Sequence, residues 1–140
     1  MPNIKLNRNE YNSFNQSVYN QVYFNTENGG YVVVDKSHGH LELAQNLIIA
    51  KILADRGERI ILLEDIPYQK SPDAKRNGML WEFKTISKAK NIENAIVLAT
   101  RKGKKQADNI LIFINQRFIK NKVIKALETS ITKDSLKQIK

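Results

Sequence analysis

Two acids and a lysine lie close together in the stretch from residue 71 to residue 84, around an Asn-Gly dipeptide. Asn77-Gly78 favours the two-residue turn of a β-hairpin, so we predict two antiparallel strands on either side of it. In that register Asp73 lies opposite Glu82. Because side chains alternate along a strand, Glu82 and Lys84 share one face. The spacing therefore predicts two carboxylates and one ammonium group in a single patch.

Two carboxylates about 5 Å apart repel each other by about 3 kcal/mol at an effective dielectric of 20. Lys84 offsets part of that repulsion, and a divalent cation would offset more, since Mg²⁺ (or Mn²⁺) prefers carboxylate, water and phosphate oxygens. Such a metal polarises a phosphate and activates an attacking water, while Lys84 could orient the nucleophile or stabilise charge on the phosphoryl oxygens. The pattern predicts phosphoryl displacement with Asp73 and Glu82 as metal ligands. The alternative is an exposed hairpin face whose charges partly compensate.

The elements around this hairpin predict an α/β fold, a mixed sheet with flanking helices. β-branched and aromatic residues on both sides of a turn-forming cluster predict an earlier hairpin, over residues 18–35. Ser37 is the expected N-cap of the first helix, and Gly57 its expected stop. The other predictions are helices over 41–55, 92–102 and 118–130, strands over 58–64 and 108–115, and a tail over 132–140 that forms a short helix or frays.

The chain has 140 residues, which favours a single domain over residues 1–140. We expect a loosely ordered start over residues 1–17 and a core over about residues 18–130. The absence of cysteine excludes a disulfide framework and a thiol nucleophile. No apolar run approaches the ~18 residues of a membrane span, so we expect none.

The formal net charge of +9 is distributed unevenly along the chain. Residues 1–69 hold 6 Lys and Arg against 8 Asp and Glu, whereas residues 70–140 hold 17 against 6. A basic cluster attracts phosphate chains by releasing their counterions, so nucleic acid is the leading class of partner. A solvated lysine-rich surface and an acidic protein partner are the alternatives.

The chain resembles the PD-(D/E)XK nuclease superfamily, because Pro72-Asp73, eight further residues and Glu82-Phe83-Lys84 match its motif. More narrowly, it is similar to the C-terminal tRNase toxin domains of contact-dependent growth inhibition proteins. This likeness covers roughly residues 20–116. The segments that carry it are Gly29-Gly30-Tyr31-Val-Val-Val, the helix with Glu42, Leu62-Leu63, Lys70-Ser-Pro-Asp73, Trp81-Glu-Phe-Lys84 and Lys105-Gln-Ala-Asp-Asn109.

The resemblance implies a restriction-endonuclease-like core, preceded here by the first hairpin. It implies that Asp73 and Glu82 are catalytic metal ligands and that Lys84 is the catalytic lysine. Glu42, on the first helix, would be a further catalytic acid and the third metal ligand. Gln106 would support the site or contact the substrate.

Two further groups of residues are candidates for substrate binding. Lys104 and Lys105 directly precede Gln106, so we expect them to contact the substrate backbone; a solvated helix end, where cations are favoured, is the alternative. His38 and His40 precede the first helix and could bind phosphate or act as acid–base groups near neutral pH. Ordinary loop histidines are the alternative.

These features together lead us to expect a monomeric, metal-dependent ribonuclease toxin domain that cleaves tRNA in the cytoplasm of a competing bacterial cell. We expect the domain to be secreted or delivered by a larger effector protein. We also expect a cognate immunity protein that is acidic enough to cover the basic surface. Two alternatives stay open. One is a DNA endonuclease of resolvase or restriction type, and the other is a basic nucleic-acid-binding domain without catalysis.

Overall fold

A computed structural model describes residues 3–134 of the chain, and their side chains up to residue 130. Within that range lie four helices and six strands. They are, in chain order, α1 (Ile4–Ser13), β1 (Tyr19–Phe24), β2 (Tyr31–Asp35), α2 (His40–Ala54), β3 (Arg59–Leu62), β4 (Ala74–Arg76), β5 (Met79–Ile86), α3 (Ile92–Gly103), β6 (Asn109–Ile114) and α4 (Lys120–Asp134). The strands form a mixed sheet in the order β1-β2-β3-β4-β5-β6. The predicted α/β class is confirmed.

The chain divides into two compact units, Met1–Trp81 and Glu82–Lys140. Strand β5 begins in the first unit and continues into the second. The expectation of a single domain over the whole chain stays a prediction.

In the first unit, helix α2 packs against strands β2 and β3. β2 pairs with β1 in an antiparallel hairpin and with β3 in parallel, and β3 pairs antiparallel with β4. β2 is buried from Tyr31 to Val34, as expected of a strand that is covered on both faces. The C-terminal end of α2 passes so close to this strand that a Cβ on Gly30 would lie 1.8 Å from the Ala54 carbonyl oxygen.

Helix α1 lies near the start of the chain, so the expectation of a loosely ordered segment over residues 1–17 is wrong for these helical residues. The Asn3 side chain caps this helix by accepting a hydrogen bond from Leu6 N at 2.9 Å. Asn7 Nδ2 donates to the Gly29 carbonyl at 3.1 Å, and the Tyr31 hydroxyl donates to the Glu10 carboxylate. Short helices depend on such tertiary contacts more than on their own propensity, which is why the sequence pattern did not reveal α1.

The second hairpin forms as predicted. Asn77 and Gly78 have φ angles of 47° and 86°, the two positive values that a type I′ turn requires. The paired residues are Ala74 with Trp81, Lys75 with Leu80 and Arg76 with Met79.

Ser37 was predicted to cap the helix over residues 41–55, which is α2, and this prediction is wrong. Helix α2 begins at His40, after Gly39, and no side chain caps it. The Ser37 hydroxyl instead donates to the Asp35 carboxylate at 2.6 Å. This bond within a local turn competes with helix capping for the serine hydroxyl.

In the second unit, helices α3 and α4 pack on each other around a core of Ile86, Ile96, Val123 and Ala126. α3 begins at its predicted cap, since the Asn91 side chain accepts a hydrogen bond from Asn94 N at 3.0 Å. Of the predicted tail over residues 132–140, α4 includes the part up to Asp134, and residues 135–140 lie outside the described residues.

Candidate active site

Strand β5 carries two of the predicted catalytic residues in the second unit. Glu82 is only 4% exposed, and Lys84 is half-buried. Lys84 Nζ lies 3.3 Å from Glu82 Oε2, so the two side chains form an ion pair. Burying a carboxylate costs free energy unless its charge is paired, and the neighbouring ammonium meets that requirement. The alternation of side chains along the strand, from which this pair was predicted, is confirmed.

Asp73 lies in the first unit, directly before β4, and is 7% exposed. Its carbonyl oxygen accepts a hydrogen bond from Leu63 N at 2.9 Å, which continues the pairing of β3 with β4 beyond Leu62 and Ala74. The main chain of Asp73 is therefore fixed at the end of the sheet rather than in a free loop.

His38 is buried, and both of its ring nitrogens bond within the protein. Nδ1 donates to the Leu63 carbonyl oxygen at 2.6 Å, and Nε2 accepts from Asn46 Nδ2 at 3.1 Å. These partners assign the proton of a neutral ring to Nδ1. The arrangement ties the loop before α2 to the residue that follows β3, and it favours a structural role for His38 over the substrate contact expected from the sequence.

His40 and Glu42 lie in the first turn of α2, and both are exposed. A carboxylate in this position is favoured by the dipole of the helix whether or not it binds a metal. The catalytic role of Glu42 and the substrate contact of His40 stay predictions.

Lys104, Lys105 and Gln106 lie in the turn between α3 and β6 in the second unit. Backbone hydrogen bonds close this turn, from Lys104 N to Thr100 O at 3.0 Å and from Gln106 N to Gly103 O at 2.9 Å. Lys105 is exposed, while Lys104 and Gln106 are half-buried. The turn follows a helix, as predicted, and its contact with substrate stays a prediction.

The donor chemistry of the buried acids fits a hard divalent cation. Mg²⁺ is commonly held by one or two carboxylates, with water and substrate phosphate completing its shell. Asp73 and Glu82 are buried carboxylates of that kind. Within residues 3–134, however, no group of three or more His, Cys, Asp or Glu side chains is placed to hold a metal ion. The ligand set of Glu42, Asp73 and Glu82 stays a prediction.

Asn46 is a supporting residue that the sequence analysis missed. It is 3% exposed in the middle of the apolar helix α2, where it orients His38. A buried amide needs a hydrogen-bond partner, so an asparagine directly before the apolar run at residues 47–50 was the signal available in the sequence.

Comparison with known proteins identifies the family. The family model described as "Contact-dependent growth inhibition CdiA C-terminal domain" matches residues 70–140, half of the chain. No curated protein and no solved structure gave a match. CdiA proteins deliver the domains of this family into target cells. In the described part of the chain, no helix is both long and apolar enough to cross a membrane. The matched region includes Asp73, Glu82 and Lys84, and the chain belongs to the family of CdiA C-terminal domains of contact-dependent growth inhibition.

Proposed function

We propose that this domain is a nuclease toxin that cleaves phosphodiester bonds of RNA, specifically tRNA, in the target cell. The observation that carries the proposal is the ion pair between the buried Glu82 and Lys84, on the strand that follows the confirmed Asn-Gly turn. Family membership and the basic second half of the chain support it.

In this proposal Asp73 and Glu82, with Glu42 as a third acid, hold the metal of a PD-(D/E)XK site. The observed strand pairs follow the predicted hairpin register as far as Ala74 and Trp81, which supports that register. The pairing of Asp73 with Glu82, the next step of the predicted register, is part of the proposal. When bound, Mg²⁺ or Mn²⁺ supplies Lewis-acid polarisation of the scissile phosphate.

Lys84 stabilises the negative charge that develops on the phosphoryl oxygens. An ammonium group has three N–H donors, and the ion pair with Glu82, at 3.3 Å from Nζ to Oε2, holds the group in place. A positioned donor of this kind is worth about 10²–10³ in kcat.

The basic charge supports a polyanionic substrate, with Lys104, Lys105, Gln106 and His40 as further contacts. RNA is favoured over DNA because no segment of the sequence resembles a base-reading module or a dimer arm for duplex DNA. We also propose that an acidic cognate immunity protein covers this surface in the producing cell.

Incubation of the domain with total tRNA and with plasmid DNA, in Mg²⁺ and beside the Glu82→Gln variant, tests the proposal. Cleavage of tRNA by the parent alone supports it. Cleavage of plasmid alone would instead assign a DNA endonuclease, and binding without cleavage of either would assign a non-catalytic module. A chelator added to a parallel reaction tests the metal, because activity that survives chelation would contradict metal dependence.

A further inference from the structure

Two loops of the second unit are joined where β5 and β6 end. Asn115 N donates to the Ile86 carbonyl oxygen at 2.8 Å. The Gln116 side chain then makes two hydrogen bonds with the backbone of Ala89: Oε1 accepts from Ala89 N at 2.8 Å, and Nε2 donates to Ala89 O at 3.1 Å. These bonds hold the two loops against each other as a defined surface.

The joined loops display a concentration of positive charge. Lys88 and Lys90 flank Ala89, which packs against the core, and both lysines are exposed. Arg117 follows Gln116 and is also exposed. Residues 86–91 and 115–122 contain no Asp or Glu, and Glu93, in the first turn of α3, is half-buried. The surface is therefore strongly basic.

A large aromatic side chain lies within this basic surface. Phe118 is 49% exposed, next to Arg117 and two residues before the exposed Lys120. An exposed ring surrounded by cations is what proteins use to hold single-stranded nucleic acid, since an unstacked base packs on the ring while the cations bind the flanking phosphates. A duplex offers no such base, and an apolar protein partner has no need of the cations.

We propose that the joined loops, residues 86–90 and 115–120, bind a single-stranded segment of RNA, with one base stacked on Phe118 and phosphates bound by Lys88, Lys90 and Arg117. This site is separate in sequence from the turn at Lys104–Gln106. The inference rests on the proposed function for its class of ligand, RNA. It adds the surface that holds the RNA and the single-stranded form in which the RNA binds.

The affinity for a fluorescent single-stranded RNA of 12 nucleotides without internal base pairing tests this site. The whole chain with Glu82→Gln is used in a chelator, so that cleavage does not interfere. In the Glu82→Gln chain, Phe118→Ala should weaken RNA binding about fivefold or more. Phe118→Tyr should bind RNA as tightly as the Glu82→Gln chain alone, because tyrosine keeps a stacking ring. Leu98→Ala is the matched control in the same unit, at 46% exposure on α3, and should leave the affinity unchanged.

The salt dependence of the same binding tests the cations. Removing one phosphate contact should lower the slope of log Kd against log salt by about 0.7, which we expect for Lys88→Ala and for Arg117→Ala. Lys51→Ala, an exposed lysine in α2, should leave the slope unchanged.

Two results would overturn the inference. One is an unchanged RNA affinity in Phe118→Ala, and if that variant also loses binding to an acidic protein, the surface is a protein interface. The other is an equal loss of RNA affinity in Leu98→Ala. The proposed function fails separately: if the parent binds RNA through Phe118 but cleaves none, the nuclease proposal is wrong and this inference stands.

Discussion

Lys84 Nζ lies 3.3 Å from Glu82 Oε2, two positions apart on one strand. Glu82 is buried and Lys84 is partly open to solvent, with 26% of its side chain exposed. A buried carboxylate that fixes a more accessible ammonium is an arrangement suited to presenting a positive charge to a phosphate. Substitution of either Lys84 or Glu82 should therefore impair RNA cleavage.

Lys84→Gln should lower the rate constant for RNA cleavage by about 10²-fold or more, because the variant removes the charge that stabilises the phosphoryl oxygens. The measurement is a single-turnover cleavage assay with the enzyme in excess over tRNA. Lys51→Ala, an exposed lysine in α2, is the control and should cleave at the parental rate. A Lys84→Gln variant as fast as this control would remove Lys84 from the mechanism.

Gln116→Ala should lower the free energy of unfolding by about 1–3 kcal/mol, because it removes both bonds to the half-buried backbone of Ala89. Urea denaturation measures the change. Gln45→Ala, an exposed glutamine in α2, is the matched control and should change stability by less than about 0.5 kcal/mol. Equal stabilities of the two variants would show that the loops are not held by this side chain.

Gly30→Ala should be far more destabilising than Gly78→Ala. A Cβ on Gly30 would overlap the Ala54 carbonyl at 1.8 Å, so α2 must move, at a cost of about 3 kcal/mol or more. Gly78 has open space around it and a φ of 86°, so its substitution costs only the left-handed backbone strain of about 1–2 kcal/mol. Urea unfolding of both variants checks the order, and the reverse order would contradict the close approach of α2.

Stability at alkaline pH should depend on Tyr31. Burial, followed by the hydrogen bond to Glu10 and the Glu10 charge, raises the pKa of Tyr31 well above its ordinary value of 10.0. Above pH 10 the unfolded chain loses this proton while the folded chain keeps it, so the free energy of unfolding falls as the pH rises. Tyr31→Phe should reduce that fall between pH 10 and 11 in urea titrations. A variant curve parallel to the parental one would contradict the raised pKa.

Local patterns in the sequence were enough to predict most of the elements. The Asn77-Gly78 turn and the Asn91 cap follow from the residues themselves, and the alternation of Glu82 with Lys84 follows from strand geometry. Helix α1 was missed because bonds to distant residues hold it, such as the one from Asn7 to Gly29.

The same limit applies to the candidate site. A local register was sufficient to predict the Glu82–Lys84 pair, whereas the bonds of His38 to Leu63 and Asn46 join residues 25 and 8 positions away. Nothing in the types of those residues specifies such bonds before the fold brings them together. The pairing of Gln116 with Ala89, 27 positions apart, was missed for the same reason.

Cleavage of purified tRNA by the Glu82→Gln variant, followed at single turnover in Mg²⁺, decides whether the carboxylate on β5 belongs to a catalytic site. Glu128→Gln, an exposed glutamate in α4, is the matched control. We expect Glu128→Gln to cut tRNA at the parental rate and Glu82→Gln, folded to the same extent by circular dichroism, to leave it intact. Equal cleavage by both variants would contradict a nuclease site at Glu82.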